Sequence, residues 1–327
     1  MECMKKPKIL IASDLFLVSF SSMGAPVHVL CLLCLSLLQG AQSATFTVTN
    51  RCGYTVWPGI LSNAGVSQPS TTGFVLYPGQ SRAVSVAAAW SGRMWGRTLC
   101  EEDSSGRFTC ATGDCGSGAV ECSGRGADPP ATLAEFTLAG GGGGGGDDFY
   151  DVSLVDGYNL PILVAPQSPA ANGSRCQVTG CVADLNKSCP AELRVVKASG
   201  GGAIACNSAC EAFGAAQYCC SGAYGTPSTC APTSYSLLFK NACPRAYSYA
   251  YDDATSTFTC AAAGGGYDVV FCPGTSSLKS GGNPEAKGLP PTYSTMAFSG
   301  NGHSSTTRIS LFVLLMIISS ATWTQCW

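Results

Sequence analysis

Histidine and charge are both scarce in this sequence of 327 residues. The only two histidines are His28 and His303, so the stretch from Ala44 to Pro273 contains none. That stretch therefore cannot carry Ser-His-Asp catalysis, Cys-His catalysis or a metal site with histidine ligands. Charged residues make up 12% of the chain, and the same stretch holds twelve Lys and Arg against seventeen Asp and Glu, a net charge of −5. This negative balance argues against nucleic acid and anionic membranes as partners.

Cysteine and glycine, in contrast, are abundant, with 20 and 40 residues. Four cysteines lie in the apolar ends of the chain, and the other sixteen fall between Cys52 and Cys272. No pair in that window has the Cys-x-x-Cys spacing that is typical of zinc sites. The even number instead indicates eight disulfides in a secreted domain. We predict no metal and no cofactor, so any catalysis must rely on carboxylates.

The N-terminal end has the composition of an export signal. Residues 1–43 contain a basic start, apolar runs and a small-residue site before Ala44, which predicts a signal peptide. Met23 is an alternative start, which would make the preceding residues an extension, and an uncleaved signal anchor is the alternative to cleavage. Residues 44–273 then form a domain that is secreted through the ER.

The C-terminal end has the composition of a lipid-anchor signal. Residues 274–308 form a polar linker rich in Ser, Gly and Pro, and residues 309–327 form an apolar tail. Small residues, a polar spacer and such a tail are typical of a GPI-attachment signal, with a tail anchor or an unprocessed tail as alternatives. The predicted location is the outer face of the plasma membrane or the apoplast. Two sequons, at Asn172 and Asn186, are candidate glycosylation sites.

The stretch 132–159 predicts two strands joined by the glycine run Gly140–Gly146. Strand alternation places Glu135 and Asp151 on polar faces, with apolar residues on the opposite faces. The dipeptide Asp156-Gly157 is a turn signal that predicts a hairpin into the next apolar run. The three carboxylates can then stand on one side of a sheet, either as a site or as an ordinary solvated face. Alternatively, Asp156 only stabilises its turn and takes no part in a site.

Elsewhere, short strands separated by Gly, Pro and Ser loops predict an antiparallel β-sandwich. Between residues 167 and 230 cysteines crowd together and turns dominate, so this region depends on cross-links. A capping-box pattern at Ser208 predicts a helix that continues into AFGAAQYCC. A second helix is predicted near Thr233, with Leu237, Leu238 and Phe239 facing inward.

The segment GRFTCATGDCGSGAVEC, Gly106–Cys122, closely resembles the signature of thaumatin-like proteins, the plant pathogenesis-related family that includes osmotin and zeamatin. Further segments follow in the family's order: NRCGYTVWPG, RMWGRT, TLAEF, DFYDVSLVDGYN, CPAEL, QYCC and YDVVFCP. The resemblance covers residues 44–273 and all sixteen internal cysteines. It implies a mainly β fold, in which a flattened antiparallel β-sandwich carries a disulfide-rich second lobe of loops and helix and a small third lobe.

The resemblance also implies a disulfide pairing that the sequence alone leaves open. Following the family's order, the pairs are Cys52–Cys272, Cys100–Cys110, Cys115–Cys122, Cys176–Cys260, Cys181–Cys243, Cys189–Cys206, Cys210–Cys219 and Cys220–Cys230.

Members of this family carry an acidic cleft between the sandwich and the second lobe. Carried over residue by residue, its lining falls on Arg93, Glu135, Asp151, Asp156 and Asp253. Asp252 is adjacent to Asp253 and is an alternative for its role. The sequence departs from its relatives at the glycine run, which is expected to loosen the cleft. It also departs at Arg245, where an acidic residue is common and a positive charge would weaken the field at one rim.

The resemblance implies an extracellular plant defence protein whose cleft binds β-1,3-glucan or another fungal wall polysaccharide. It is expected to be monomeric and to meet the membrane only through a lipid anchor. One alternative is a weak endo-β-1,3-glucanase, with Glu135 as the acid and Asp151 or Asp156 as the base or nucleophile. Another alternative is a signalling or interaction module at the cell surface that engages a basic protein.

Overall fold

Thirteen β-strands account for most of the regular structure in the computed structural model, which describes residues 43–140, 146–167, 175–197, 200–261 and 266–274. Their bounds in chain order are β1 Ser43–Asn50, β2 Trp57–Ser62, β3 Ser81–Ala87, β4 Ser91–Glu102, β5 Phe108–Thr112, β6 Leu133–Thr137, β7 Asp147–Ser153, β8 Ile162–Pro166, β9 Thr179–Cys181, β10 Arg194–Val196, β11 Ala203–Cys206, β12 Phe258–Ala261 and β13 Tyr267–Phe271.

Two of the sheets form a sandwich. The first has the strand order β3-β1-β13-β8-β9, and the second has the order β12-β7-β6-β4-β2, with β5 paired to β4. Aromatic side chains join the two layers, because the ring of Phe46 lies 4.6 Å from that of Phe136, which in turn lies 5.4 Å from Tyr267. The fold is therefore mainly β, as the sequence predicted.

One strand pair departs from the expected antiparallel arrangement. Strands β1 and β13 are parallel neighbours, with Phe46 opposite Tyr267 and Asn50 opposite Phe271. They lie at the two ends of the domain, so the whole intervening chain forms the crossover that a parallel pair requires. The other strand pairs within the described residues are antiparallel.

The hairpin predicted after Asp156-Gly157 is wrong. The turn exists, since the N–H of Gly157 donates to the carbonyl of Leu154 at 3.0 Å, but β8 then enters the other sheet. The reason is that Tyr158 is bound by the second lobe, through two backbone hydrogen bonds with Cys206. Gly157 has a φ of +84°, and a Cβ there would lie 2.6 Å from Pro130 and 2.8 Å from the Cys206 carbonyl, so the turn requires glycine.

The second lobe contains the β10–β11 hairpin, three 3₁₀ turns and short helices. The 3₁₀ turns are Leu185–Lys187, Ala191–Leu193 and Gly222–Tyr224, and the helices are α1 Ala209–Phe213, α2 Ala216–Cys219, α3 Ser234–Ala242 and α4 Asp253–Ser256. No helix of the described residues is long and apolar enough to cross a membrane.

Both predicted helices form, with differences in detail. Ser208 caps α1 as expected, but Gly214 adopts a left-handed conformation and ends the helix, so the AFGAAQYCC segment gives two short helices instead of one. Thr233 caps α3 through a capping box with Ser236. Phe239 is buried and Leu238 packs against the core, whereas Leu237 is 45% exposed, so the prediction that all three face inward is wrong for Leu237.

Eight disulfides cross-link the described residues, and their pairing matches the order implied by the family resemblance. The Cys52–Cys272 bond joins residues 220 positions apart and closes almost the entire domain. Five of the bonds have both cysteines within residues 176–260, where the lobe has little regular structure of its own. The disulfides there supply stability that the small apolar core of this lobe does not provide.

The third lobe is the β4–β5 hairpin with the loop that follows it, and Arg97 joins it to the sandwich. The guanidinium of Arg97 is fully buried and donates to the carbonyls of Trp57, Pro58 and Val120. It also lies over the ring of Phe108, with 5.4 Å to the ring centre. These bonds satisfy a buried charge that the sequence analysis did not single out.

Candidate functional site

A cleft of about 360 Å³ lies between the outer face of the second sheet and the segment 247–253. Its lining residues are Arg93, Leu133, Glu135, Asp151, Ser153, Val155, Asp156, Tyr247, Ala250 and Asp253. All five residues carried over from the family cleft are among them. The structure therefore brings together residues that are up to 160 positions apart in the sequence.

Three of these residues form one row across the second sheet. Arg93 on β4 is opposite Glu135 on β6, and Glu135 is opposite Asp151 on β7. Directly opposite positions on neighbouring strands have Cβ atoms about 5 Å apart, so the three side chains are neighbours on one face. Arg93 Nε lies 3.9 Å from Glu135 Oε1, and both side chains are 36% exposed. The opposite face carries buried apolar residues of the core, as the alternation predicted.

Asp151 is the most perturbed carboxyl group of the row. Burial, together with the negative charges of Glu135 and Asp253, raises its pKa from 3.8 to about 8. Within the described residues its Oδ2 atom is buried without a hydrogen-bond partner. A carboxyl group with this pKa is mostly protonated at neutral pH, and it can then act as a hydrogen-bond donor.

The pKa values of Glu135 and Asp156 are also raised, but Arg93 stabilises the charged forms of both groups. Burial raises the pKa of Glu135, Arg93 opposes the shift, and Asp156 adds to it. Burial likewise raises the pKa of Asp156, and Arg93 again opposes the shift. Arg93 therefore stabilises the charged form of both groups. The turn at Asp156 is closed by backbone atoms of Leu154 and Gly157, so it does not depend on the Asp156 carboxylate.

Asp253 lies in the cleft, and its neighbour Asp252 does not. The Oδ2 atom of Asp252 pairs with Lys240 Nζ at 2.8 Å and accepts a hydrogen bond from the N–H of Ser248. Asp253 instead accepts from the hydroxyl of Tyr247 at 2.8 Å at the cleft wall. The ambiguity between the two residues is resolved because Asp252 is engaged in holding α3.

A model of the Thaumatin family matches residues 50–273. The chain belongs to the thaumatin family. Thaumatin-like protein 1 of Arabidopsis thaliana is 57% identical over 239 residues, which cover 72% of this chain and 88% of that protein. A glucan endo-1,3-beta-glucosidase of Prunus avium is 51% identical over 234 residues, 72% of this chain and 92% of that protein. A PR5-like receptor kinase of A. thaliana is 50% identical over 252 residues, which cover 77% of this chain but 37% of the kinase.

Arg245, which was expected to weaken the field at one rim of the cleft, lies elsewhere in this thaumatin family domain. Its guanidinium stacks on Phe258, 4.3 Å from the ring centre, and donates to Gln177 Oε1 at 2.8 Å. It is not among the residues that line the cleft. Its charge lies at the junction of β12 with the second lobe, and its effect on the field of the cleft stays a prediction.

Two residues near the cleft were missed by the sequence analysis. Tyr247 reaches the wall through a backbone bridge with Ser153, and no periodicity in its own segment indicates this position. Glu211 on α1 has a pKa raised by burial and by the charges of Asp156 and Asp128. Glu211 therefore extends the acidic surface onto the second lobe. Only the tertiary contact between the lobes reveals either residue.

The two sequons have different outcomes. Asn172 lies outside the described residues. The Nδ2 atom of Asn186, to which a glycan would be attached, donates to the carbonyls of Asn159 at 2.9 Å and Ile204 at 3.1 Å. A glycan on this nitrogen would remove one donor hydrogen from the junction between the lobes. The folded structure therefore opposes glycosylation at Asn186.

Across the described ranges, no group of three or more His, Cys, Asp or Glu side chains is arranged to hold a metal ion. The acidic cleft consequently offers hydrogen-bond acceptors, one protonated carboxyl group and one arginine. That set can bind hydroxyl-rich ligands, and it can also perform proton transfer between two carboxyl groups.

Proposed function

We propose that this member of a plant defence family acts outside the cell and binds β-1,3-glucan or a related fungal wall polysaccharide in its acidic cleft. The observation that carries the proposal is the row of Arg93, Glu135 and Asp151 on the floor of an open cleft. Sugar hydroxyls donate to carboxylates and accept from an arginine or a protonated carboxyl group. The Prunus avium relative, a glucan endo-1,3-beta-glucosidase, supports this ligand class.

Weak endo-β-1,3-glucanase activity is the second candidate, and the same relative favours it. We infer a different division of roles from the one expected from the sequence. Asp151 is the better proton donor, because burial raises its pKa to about 8, whereas Arg93 favours the ionised form of Glu135. Glu135 then serves as nucleophile or base. Opposite positions on a sheet are about 5 Å apart at Cβ, which is near the carboxyl spacing of retaining glycosidases.

The purified domain, incubated with laminarin, separates the two candidates. We expect wild-type protein to bind laminarin in a pull-down, and we expect Glu135→Gln and Asp151→Asn to weaken binding. Glu101→Gln, on the exposed end of β4, is the matched control and should bind normally. Release of reducing ends by wild-type protein that disappears in Asp151→Asn indicates an enzyme, and binding without release indicates a binder. Absence of both binding and release would exclude the proposed function.

We also propose that the domain is displayed on the cell surface by a lipid anchor. The composition of residues 274–327 supports this proposal; residues 275–327 lie outside the described residues, as do residues 1–42. A phosphatidylinositol-specific phospholipase should release the protein from membranes. Protein that stays on the membrane after this treatment would contradict a GPI anchor.

A cell-surface interaction module is the third candidate, and the receptor-kinase relative favours it. The similarity to this chain covers 37% of that protein. Under this candidate the cleft would bind a basic protein by charge complementarity. Binding of laminarin that is unaffected by Glu135→Gln would favour it over the glucan proposal.

A further inference from the structure

Three aromatic rings form a cluster on the surface of the second lobe. Phe213 at the end of α1, Tyr218 on α2 and Tyr235 on α3 contact each other, with ring centres 5.3 to 5.9 Å apart. Phe213 is 43% exposed, and the two tyrosines are partly exposed. We call these three residues the aromatic platform. Exposed aromatic clusters on monomers commonly mark binding surfaces, since burying the rings would otherwise stabilise the fold.

The aromatic platform is continuous with the acidic cleft. A small cavity beside it is lined by Tyr218, Tyr235, Tyr249 and Val155, and Val155 also lines the cleft. Tyr249 lines this cavity, and the next residue along the chain, Ala250, lines the cleft. The cavity and the cleft are therefore adjacent at Val155 and at the Tyr249–Ala250 step.

The chemistry of the platform suits a sugar chain. The hydroxyl of Tyr235 donates to Glu192 Oε1 at 3.0 Å, so a carboxylate stands beside the rings. A pyranose ring has an apolar face of C–H groups that packs on aromatic rings, and hydroxyls at its edge that donate to carboxylates. The rings supply area at little cost in side-chain entropy, because each has only two rotatable side-chain torsions.

We propose that the aromatic platform is a second subsite for the polysaccharide, reached from the acidic cleft across Val155 and Tyr249. This inference rests on the proposed function, because it states where the far end of the same polysaccharide chain binds. It predicts that affinity rises with the length of the β-1,3-glucan chain, since short chains fill the cleft alone and long chains also reach the platform.

The test compares short and long β-1,3-gluco-oligosaccharides by calorimetric titration against the intact protein. Phe213→Leu keeps apolar volume but removes the ring, and it should lower affinity for long chains by roughly two- to tenfold, the value of one aromatic contact. Affinity for short chains should not change. Phe213→Tyr should restore long-chain binding. The matched control is Tyr77→Leu, which removes an aromatic ring that is 58% exposed elsewhere on the protein.

The outcomes are distinguishable. Long-chain affinity that is unchanged in Phe213→Leu overturns the second subsite and leaves the cleft proposal intact. Absence of binding at every chain length overturns both. Thermal unfolding of each variant checks the fold, and if Phe213→Leu is unfolded, Glu192→Gln provides the same comparison because Glu192 is exposed. A loss of affinity that is equal for short and long chains also contradicts the subsite.

Discussion

At the scale of single residues, Asp151 is held where a charged carboxylate is unfavourable. Its chain neighbours place it on the outer face of β7, and its cross-strand neighbour is the acidic Glu135. The positive group of the row, Arg93, is opposite Glu135 and is not opposite Asp151. The row therefore runs from Arg93 through Glu135 to Asp151. Asp151 is the acid farther from the arginine, and for this reason it binds a proton.

This arrangement predicts a pH-dependent stability. The folded-state pKa of Asp151, about 8, lies above its ordinary value of 3.8, so the folded protein retains a proton that the unfolded chain releases. The contribution of Asp151 to the free energy of unfolding is fully present below about pH 4 and is lost as the pH rises toward 8. We expect Asp151→Asn to raise the free energy of unfolding at pH 8 by on the order of 2 kcal/mol, a figure reduced for the open cleft.

Urea unfolding of wild type and Asp151→Asn between pH 4 and pH 8 measures this effect. The variant should be the more stable protein at high pH, and the difference should vanish at low pH. Glu101→Gln is the control and should follow the wild-type curve. A constant difference across the range would indicate a packing effect rather than titration.

Some of the site could be predicted at this scale. Strand alternation alone placed Glu135 and Asp151 on polar faces, and the structure pairs them in register. The choice between Asp252 and Asp253 could not be made, because it depends on Lys240, which is distant in the sequence. Tyr247, which lines the cleft, and Glu211, which lies near Asp156, were missed for the same reason, since both positions depend on tertiary contacts.

At the scale of secondary-structure elements, residues 141–145 of the glycine run lie outside the described residues, and the paired ends of β6 and β7 stand between that gap and the acidic row. Strands β6 and β7 stay paired beyond Glu135 as far as Thr137 and Phe149. Asp148 then fixes the end of the hairpin, where it accepts from the N–H of Ala139 at 2.7 Å and the hydroxyl of Tyr267 at 2.8 Å. The expectation that the glycine run loosens the cleft therefore finds no support in these contacts.

A deletion tests this separation. Removing residues 141–145 shortens the connection between the paired residues Thr137 and Phe149 from eleven residues to six, 11 − 5. We expect laminarin binding to be unchanged, and we expect the free energy of unfolding to rise by about 0.5 kcal/mol because the loop is shorter. Binding assays and urea unfolding measure the two quantities. Weaker laminarin binding in a normally folded deletion variant would show that the glycine run does influence the cleft.

The elements also show where local patterns fail. The Asp156-Gly157 turn was recognised, but the partner of the strand after it was not, because the second lobe binds Tyr158 and directs β8 into the other sheet. The short helices were located by their capping residues, whereas the end of α1 depended on one left-handed glycine. A helix cap is specified by residues that are close in the sequence, whereas the partner of a strand depends on contacts between distant parts of the chain.

At the scale of the whole molecule, the Cys52–Cys272 bond should be the most stabilising of the cross-links. Replacing both cysteines with alanine should cost roughly 5 kcal/mol on the chain-entropy model, against roughly 3 kcal/mol for the short Cys100–Cys110 loop. Thermal and urea unfolding of the two double variants measure this difference. Equal losses in the two variants would show that loop length does not control the stabilisation.

Most of the architecture at this scale came from the family resemblance. The composition indicated a disulfide-rich β protein, and the family supplied the lobes and the pairing of sixteen cysteines. The parallel contact between β1 and β13 could not be read from either strand, since ATFTVTN and YDVVFCP are compatible with any partner direction. Such a contact is fixed only when the whole chain between them has folded.

The parallel contact also determines how the domain carries a mechanical load. The chain enters β1 at Ser43 and leaves after β13 at the opposite end of the strand pair, beside the Cys52–Cys272 bond. Tension between the two chain ends therefore runs along β1, crosses this bond from Cys52 to Cys272, and leaves through Gly274. The 219 residues enclosed by the bond, with the whole cleft, lie outside the path of the force. While the bond is intact, pulling on the ends cannot extend the domain or distort its binding site.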